Sequence, residues 1–137
     1  MTLLMLLITA IAQAGAKAPD PNELLGIWRG PSTCSDRQAA PACHDEDAVY
    51  EFTPGPRPGV VHWIADKMVD GKRESMGEMD ITYDAAEHCW KVEIPAGRSA
   101  NIWRLVVSGN HMTGTARRVP GNETIRKLDL TRSAGKP

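Results

Sequence analysis

The chain has 137 residues, with 16 Lys and Arg against 17 Asp and Glu and a formal net charge of −1. That length encloses one hydrophobic core and falls short of two ordinary domains. The basic residues are scattered among acidic ones, so the clustered positive surface that phosphate binding needs is missing and no nucleic-acid partner is expected.

Leu3 to Ala12 is apolar apart from Thr9, and small-residue cleavage patterns follow at Ala12-Gln13-Ala14, Ala14-Gly15-Ala16 and Ala16-Lys17-Ala18. The pattern reads as a signal peptide over 1–18, although no Lys or Arg precedes the run. It is shorter than the roughly 20 residues that cross a bilayer, so no stable membrane insertion is expected once it is removed. Residues 19–137 are then one domain, and the protein is expected to be secreted or periplasmic.

An oxidising compartment makes Cys34 and Cys43, which flank the polar loop from Ser35 to Ala42, plausible disulfide partners. Closing so short a loop contributes roughly 2 to 3 kcal/mol in the chain-entropy model. Cys89 is then the odd thiol, a small apolar filler; alternatively it partners Cys34 or Cys43, or a second chain. No Cys or His spacing resembles a zinc site. The acidic run His44-Asp45-Glu46-Asp47 could hold a cation through its carboxylates, but reads first as a solvated turn.

In chain order, Leu24 to Gly30 opens a strand with Leu24, Gly26, Trp28 and Gly30 on one face by period two. The glycines on either side of Trp28 leave room for its ring. A long loop, Ser32 to Asp47, separates it from a second strand, Ala48 to Phe52, which the Pro54 to Gly59 segment ends. Val60 to Val69 is the third strand, with Val61, Trp63, Ala65 and Val69 on the core face. Asp70-Gly71 predicts a type I′ hairpin into Ser75 to Tyr83. On that fourth strand Gly77, Met79, Ile81 and Tyr83 oppose Met76, Glu78, Asp80 and Thr82.

Cys89 to Pro95 carries Trp90, Val92 and Ile94 on one face, and Ala100 to Ser108 carries Trp103, Leu105 and Val107. His111 to Val119 is light on its inner face, with Met112, Gly114 and Ala116. Thr124 to Arg132 puts Leu128 and Leu130 in phase with Arg126 and Arg132. About eight strands with hairpin turns predict an all-β fold, a single up-and-down antiparallel barrel, because closure removes exposed edges.

Gly26-Ile27-Trp28 on the first strand, the eight-strand meander behind a leader, and a basic residue on the last strand resemble the lipocalin and calycin families. The resemblance implies that Trp28 lies at the closed end of the barrel beside Gly26, with Arg126 or Arg132 packed over it. An Arg on an indole gains cation-π energy and keeps its donors for backbone carbonyls. The chain is shorter than classical lipocalins and has no recognisable C-terminal helix, so it resembles an uncharacterised secreted bacterial type.

Two functions compete. The barrel could bind a small, mostly apolar molecule, with Trp63, Met79, Tyr83, Trp90, Trp103 and Met112 as candidate ligand-binding residues and Gly114 and Ala116 leaving space. The same side chains would equally fill a solid core. Alternatively the barrel is a rigid scaffold that binds a protein partner through the Cys34 to Cys43 loop, for example a periplasmic hydrolase. No Gly-x-Ser-x-Gly, His-Glu-x-x-His or phosphate-cradling motif occurs, so neither catalysis nor a cofactor is expected. Glu78 and Asp80 read as ordinary exposed acids on one strand.

Overall fold

A computed structural model describes residues 19–133; the expected leader at 1–18 lies outside the described residues. A single 3-10 turn, Pro21–Glu23, precedes eight strands: β1 (Gly26–Cys34), β2 (Glu46–Pro54), β3 (Val60–Val69), β4 (Lys72–Asp84), β5 (Cys89–Ala96), β6 (Ser99–Ser108), β7 (His111–Val119) and β8 (Thr124–Arg132). Each strand pairs antiparallel with the next and β1 pairs with β8, so the sheet closes into an up-and-down barrel. The Asp70-Gly71 turn has φ of 50° and 77°, the positive pair that a type I′ hairpin requires.

Alternation places one face of every strand inside. Trp28, Phe52, Ile81, Leu105, Met112 and Leu130 are fully buried, and Tyr50, Val61 and Trp63 are within 1% of it. Inside the barrel Gly114 leaves no space: a Cβ there would lie 2.7 Å from Leu105 and 3.0 Å from Leu128, whose side chains already occupy the volume. The light face of β7 is therefore a close approach between neighbours rather than a cavity wall.

The lower end of the barrel is built around Trp28. Its indole Nε1 donates to Leu24 O at 2.8 Å, and the 3-10 turn folds Leu24 in beneath it, fully buried. Arg132 is its cross-strand neighbour on β8, and the guanidinium lies 4.3 Å from the ring centroid. The same guanidinium donates to Leu25 O, Glu23 O and Asn110 Oδ1. The room left by glycine serves the strand's partners rather than the indole. Gly26, at φ 120°, lies where a Cβ would come within 3.1 Å of Arg132 Nη1, and a Cβ on Gly30 would collide with the Asp129 carbonyl. Arg126, the other candidate for the floor, is not there, because β8 runs antiparallel to β1 and carries it to the opposite end beside Ser32.

Three features depart from the periodic reading. The strand β1 does not stop at Gly30 but continues to Cys34, and Ser32 is fully buried within it. Pro31 is accommodated because the β1–β8 ladder is interrupted between Arg29 and Ser32, so its missing N–H breaks no pairing there. In β4 the ladder skips Met76: Ala65 faces Gly77 while Asp66 faces Ser75. This bulge turns Met76 from the outer face, where simple alternation puts it, to the inner one. Lys67 is the last β3 residue paired with β2; past it the β3–β4 hairpin continues as a two-stranded ribbon, and Val69, expected in the core, is exposed.

The strands β4 and β5 are joined only at the bottom, through Thr82↔Lys91, Tyr83↔Trp90 and Asp84↔Cys89. Above these pairs the two edges carry no ladder, and the wall has a slot. Replacing Arg132 by Ala is expected to lower the unfolding free energy by about 2–4 kcal/mol, since it removes charge-assisted hydrogen bonds and the stacked cation together. Urea denaturation measures this, and a loss below about 0.5 kcal/mol would mean that the floor holds without the arginine.

Candidate functional site

The polarity of the barrel interior changes along its axis. Near the floor it is filled by Trp28, Phe52, Leu105, Met112 and Leu130. Near the upper end Glu46, Tyr50, Trp63, Ala65, Met76, Met79, Ile94, Asn101, Trp103 and Arg126 line a cavity of about 280 Å³. The wall slot opens onto it, flanked by Met76 and Met79 on β4 and Ile94 on β5. A shallower cleft of about 410 Å³ lies outside the barrel, between the 3-10 turn and the Pro54–Val60 loop; its lining is mostly Pro, Gly and aliphatic side chains.

Trp63 is the centre of the aromatic wall. Its ring lies 4.9 Å from Tyr50 and 5.6 Å from Trp103, both edge-to-face, and stacks on Phe52 at 5.6 Å. Its buried Nε1–H has no hydrogen-bond partner, nor has the buried Oδ1 of Asn101. A buried polar group left unpaired costs about 1–3 kcal/mol. Burial pushes the Tyr50 phenol up to about 12, with Ser32 acting in the opposite direction. It therefore stays protonated at neutral pH.

The upper rim is organised by Arg126. Its side chain is largely buried and faces Glu46 at 3.5 Å. Nη1 donates to Ser32 O and Oγ at 3.1 and 2.9 Å, and Nη2 to His44 O at 2.9 Å and Cys43 Sγ at 3.1 Å. The Cys34–Cys43 disulfide is formed. Between the cysteines Asp36 caps the backbone of Gln38 and Ala39, and Arg37 donates to Cys43 O. Arg118 also donates to Ala39 O, so two arginines of the barrel interior hold this loop against the rim.

The acidic run is dispersed by these contacts. Asp45 accepts from Cys34 N and Arg37, Asp47 pairs with Arg29 at 2.8 Å, and Glu46 turns inward to Arg126. Among the described residues no group of three or more His, Cys, Asp or Glu is arranged to hold a metal ion. Cys89 is a buried free thiol whose pKa burial pushes up.

Of the six side chains expected to contact a ligand, Trp63, Met79 and Trp103 line the cavity. Tyr83 and Trp90 pack against each other at 5.5 Å and border a smaller, separate space of about 120 Å³ with Pro19, Glu23 and Leu105, and Met112 is fully buried. Inward alternation alone does not distinguish filled from open levels. As lining residues, sequence reasoning missed Glu46, Tyr50, Ala65, Met76, Ile94, Asn101 and Arg126. Tyr50 and Asn101 were legible by phase, in step with Phe52 and Trp103, whereas Glu46 was hidden by placing the start of β2 two residues late.

No family model, curated protein or solved structure matches the chain.

On the outer face Glu78 and Asp80 are not idle. His62 on β3 contacts Asp80 through Nδ1 at 2.9 Å and Glu78 through Nε2 at 3.1 Å. The hydrogen bond to Asp80 is the main cause that raises the imidazole pKa; desolvation opposes it, and the hydrogen bond to Glu78 adds a further increase. A raised folded-state pKa means that this contribution to stability is complete below the unfolded value of about 6.5 and fades as pH rises through the folded value. The ring of His62 is expected to titrate above about 6.5 by NMR, with Asp80→Asn lowering the midpoint; a midpoint unchanged by Asp80→Asn would contradict the pairing.

Proposed function

We propose that this protein is a lipocalin-like barrel that binds a small, mostly apolar molecule in its upper cavity, without catalysis, in a secreted or periplasmic setting. The observation that carries this reading is the cavity of about 280 Å³ walled by Trp63, Met76, Met79, Ile94 and Trp103 and reached through the slot between β4 and β5. Ligand sites of this kind are mostly apolar concavities with a few polar side chains on the lining, here Tyr50, Asn101 and Arg126. The disulfide supports the oxidising compartment. The Gly26-Ile27-Trp28 and Arg132 floor supports the lipocalin-like assignment.

A second reading keeps one specific support. The Cys34–Cys43 loop is fixed by its disulfide and by Arg118 and Arg126, yet Arg37, Gln38, Pro41 and Ala42 remain exposed. A preordered exposed loop loses little entropy on docking to a protein partner.

Titration with the apolar fluorophore 1-N-phenylnaphthylamine separates the two. Saturable binding near one equivalent is expected. Ala65→Phe, which adds a ring to the cavity wall, is expected to abolish binding while far-UV circular dichroism stays unchanged. Absence of saturable binding by the unmodified protein, or binding undiminished in Ala65→Phe, would overturn the cavity reading and leave the loop as the functional surface.

A further inference from the structure

The slot in the barrel wall is bounded by two strand edges that have lost their ladder. Thr82↔Lys91 is the last pair joining β4 to β5, while above it β4 stays paired with β3 and β5 with β6. Residues 77–81 of β4, which lie between that pair and the bulge, keep a regular register with β3. At alternate positions their N–H and C=O groups point away from β3, toward the slot. The edge of β5 is shorter, because Pro95 has no N–H to offer. An edge of this kind accepts an added strand.

The register explains why the chain does not close this seam itself. Continued by two residues from Thr82↔Lys91, it would set Asp80 directly opposite Glu93, and two acids facing each other destabilise a ladder. The outer side of the slot is acidic as a result. Glu78 and Asp80 share the single imidazole of His62, and exposed Glu93 has no ion-pair partner among the described residues. Lys91, the nearest cation on β5, is held by Asp84 and Glu87.

The inner side is apolar. Met79 and, across the slot, Ile94 line the cavity, and Ile81 belongs to the core. The space over Gly77 is open, since a Cβ there would have only Met79 Cε within 4.0 Å. A strand laid along residues 77–81 would turn its side chains alternately to these two surfaces.

We propose that the slot takes an extended segment of a partner protein, added as a strand to the β4 edge. Apolar side chains at alternate positions enter the cavity, and the basic side chains between them face Glu78, Asp80 and Glu93. Main-chain pairing supplies affinity and the two faces supply specificity. The occupant is a polypeptide, so the proposal stands apart from the small-molecule reading.

The test uses the unmodified protein and the peptide acetyl-Leu-Lys-Leu-Lys-Leu-amide, with binding measured by calorimetry. The alternating peptide is expected to bind at least about ten-fold tighter than acetyl-Leu-Leu-Lys-Lys-Leu-amide, which has the same composition, or acetyl-Leu-Glu-Leu-Glu-Leu-amide. It is also expected to slow hydrogen exchange at alternate amides of residues 77–81. Glu93→Lys is expected to weaken the lysine peptide by about three-fold and to strengthen the glutamate peptide by a similar factor, an exchange of preference that misfolding does not produce. Equal binding of the alternating and rearranged peptides, or no added protection at residues 77–81, would overturn the proposal. So would a dimer of the free protein with these amides already protected, since a second copy would then occupy the edge. None of these readouts depends on whether the fluorophore binds.

Discussion

The stack of Arg132 on Trp28 is the constraint on which the rest of the barrel depends. It joins the first strand to the last, so it acts at the seam where the sheet closes. It also ties the entry turn to that seam, because the guanidinium donates to Glu23 O and Leu25 O while the indole donates to Leu24 O. The close approaches at Gly26 and Gly30 follow from it: the first makes way for the guanidinium and the second lets β8 come against β1. With one end sealed in this way, the packed interior begins at the floor and the larger opening into the barrel lies at the other end.

At that other end the sheet relaxes. The bulge at Met76 and the lack of pairing between β4 and β5 above Thr82 and Lys91 widen the barrel and slot its wall. The side chains at this level are aromatic, aliphatic and polar together, and Arg126 spends its hydrogen bonds on the rim. The disulfide loop belongs to the same system, since two inward arginines, one on β7 and one on β8, anchor its backbone. A barrel with a rigid floor and a polar, slotted upper half separates stability from recognition along one axis.

The sequence was legible where a rule of period two acts without interruption. The strand count and the inward faces of β6 and β8 follow from it, while the Asp70-Gly71 turn was legible from residues that accept positive φ and the Cys34–Cys43 pairing from the short loop they flank. It misled where one extra residue breaks the phase, as at Met76, and where a proline looks like a stop, as at Pro31 within β1. It left Arg126 and Arg132 as equal candidates for the floor because they share a face. Only the antiparallel direction of β8 against β1, with the six-residue separation, sends them to opposite ends. The division between a filled lower level and an open upper one was not legible, since Trp90 and Trp103 have the same inward phase. Which of them meets space depends on residues brought from other strands.

The four indole N–H resonances of Trp28, Trp63, Trp90 and Trp103 in a nitrogen-15-labelled sample test this division most directly. They sample both levels of the barrel in one spectrum. On titration with 1-N-phenylnaphthylamine the expected result is that Trp63 and Trp103 shift, Trp63 most, while Trp28 and Trp90 stay fixed. Shifts at Trp28 and Trp90, or no shift at Trp63 under saturating fluorophore, would contradict a ligand cavity confined to the upper half of the barrel.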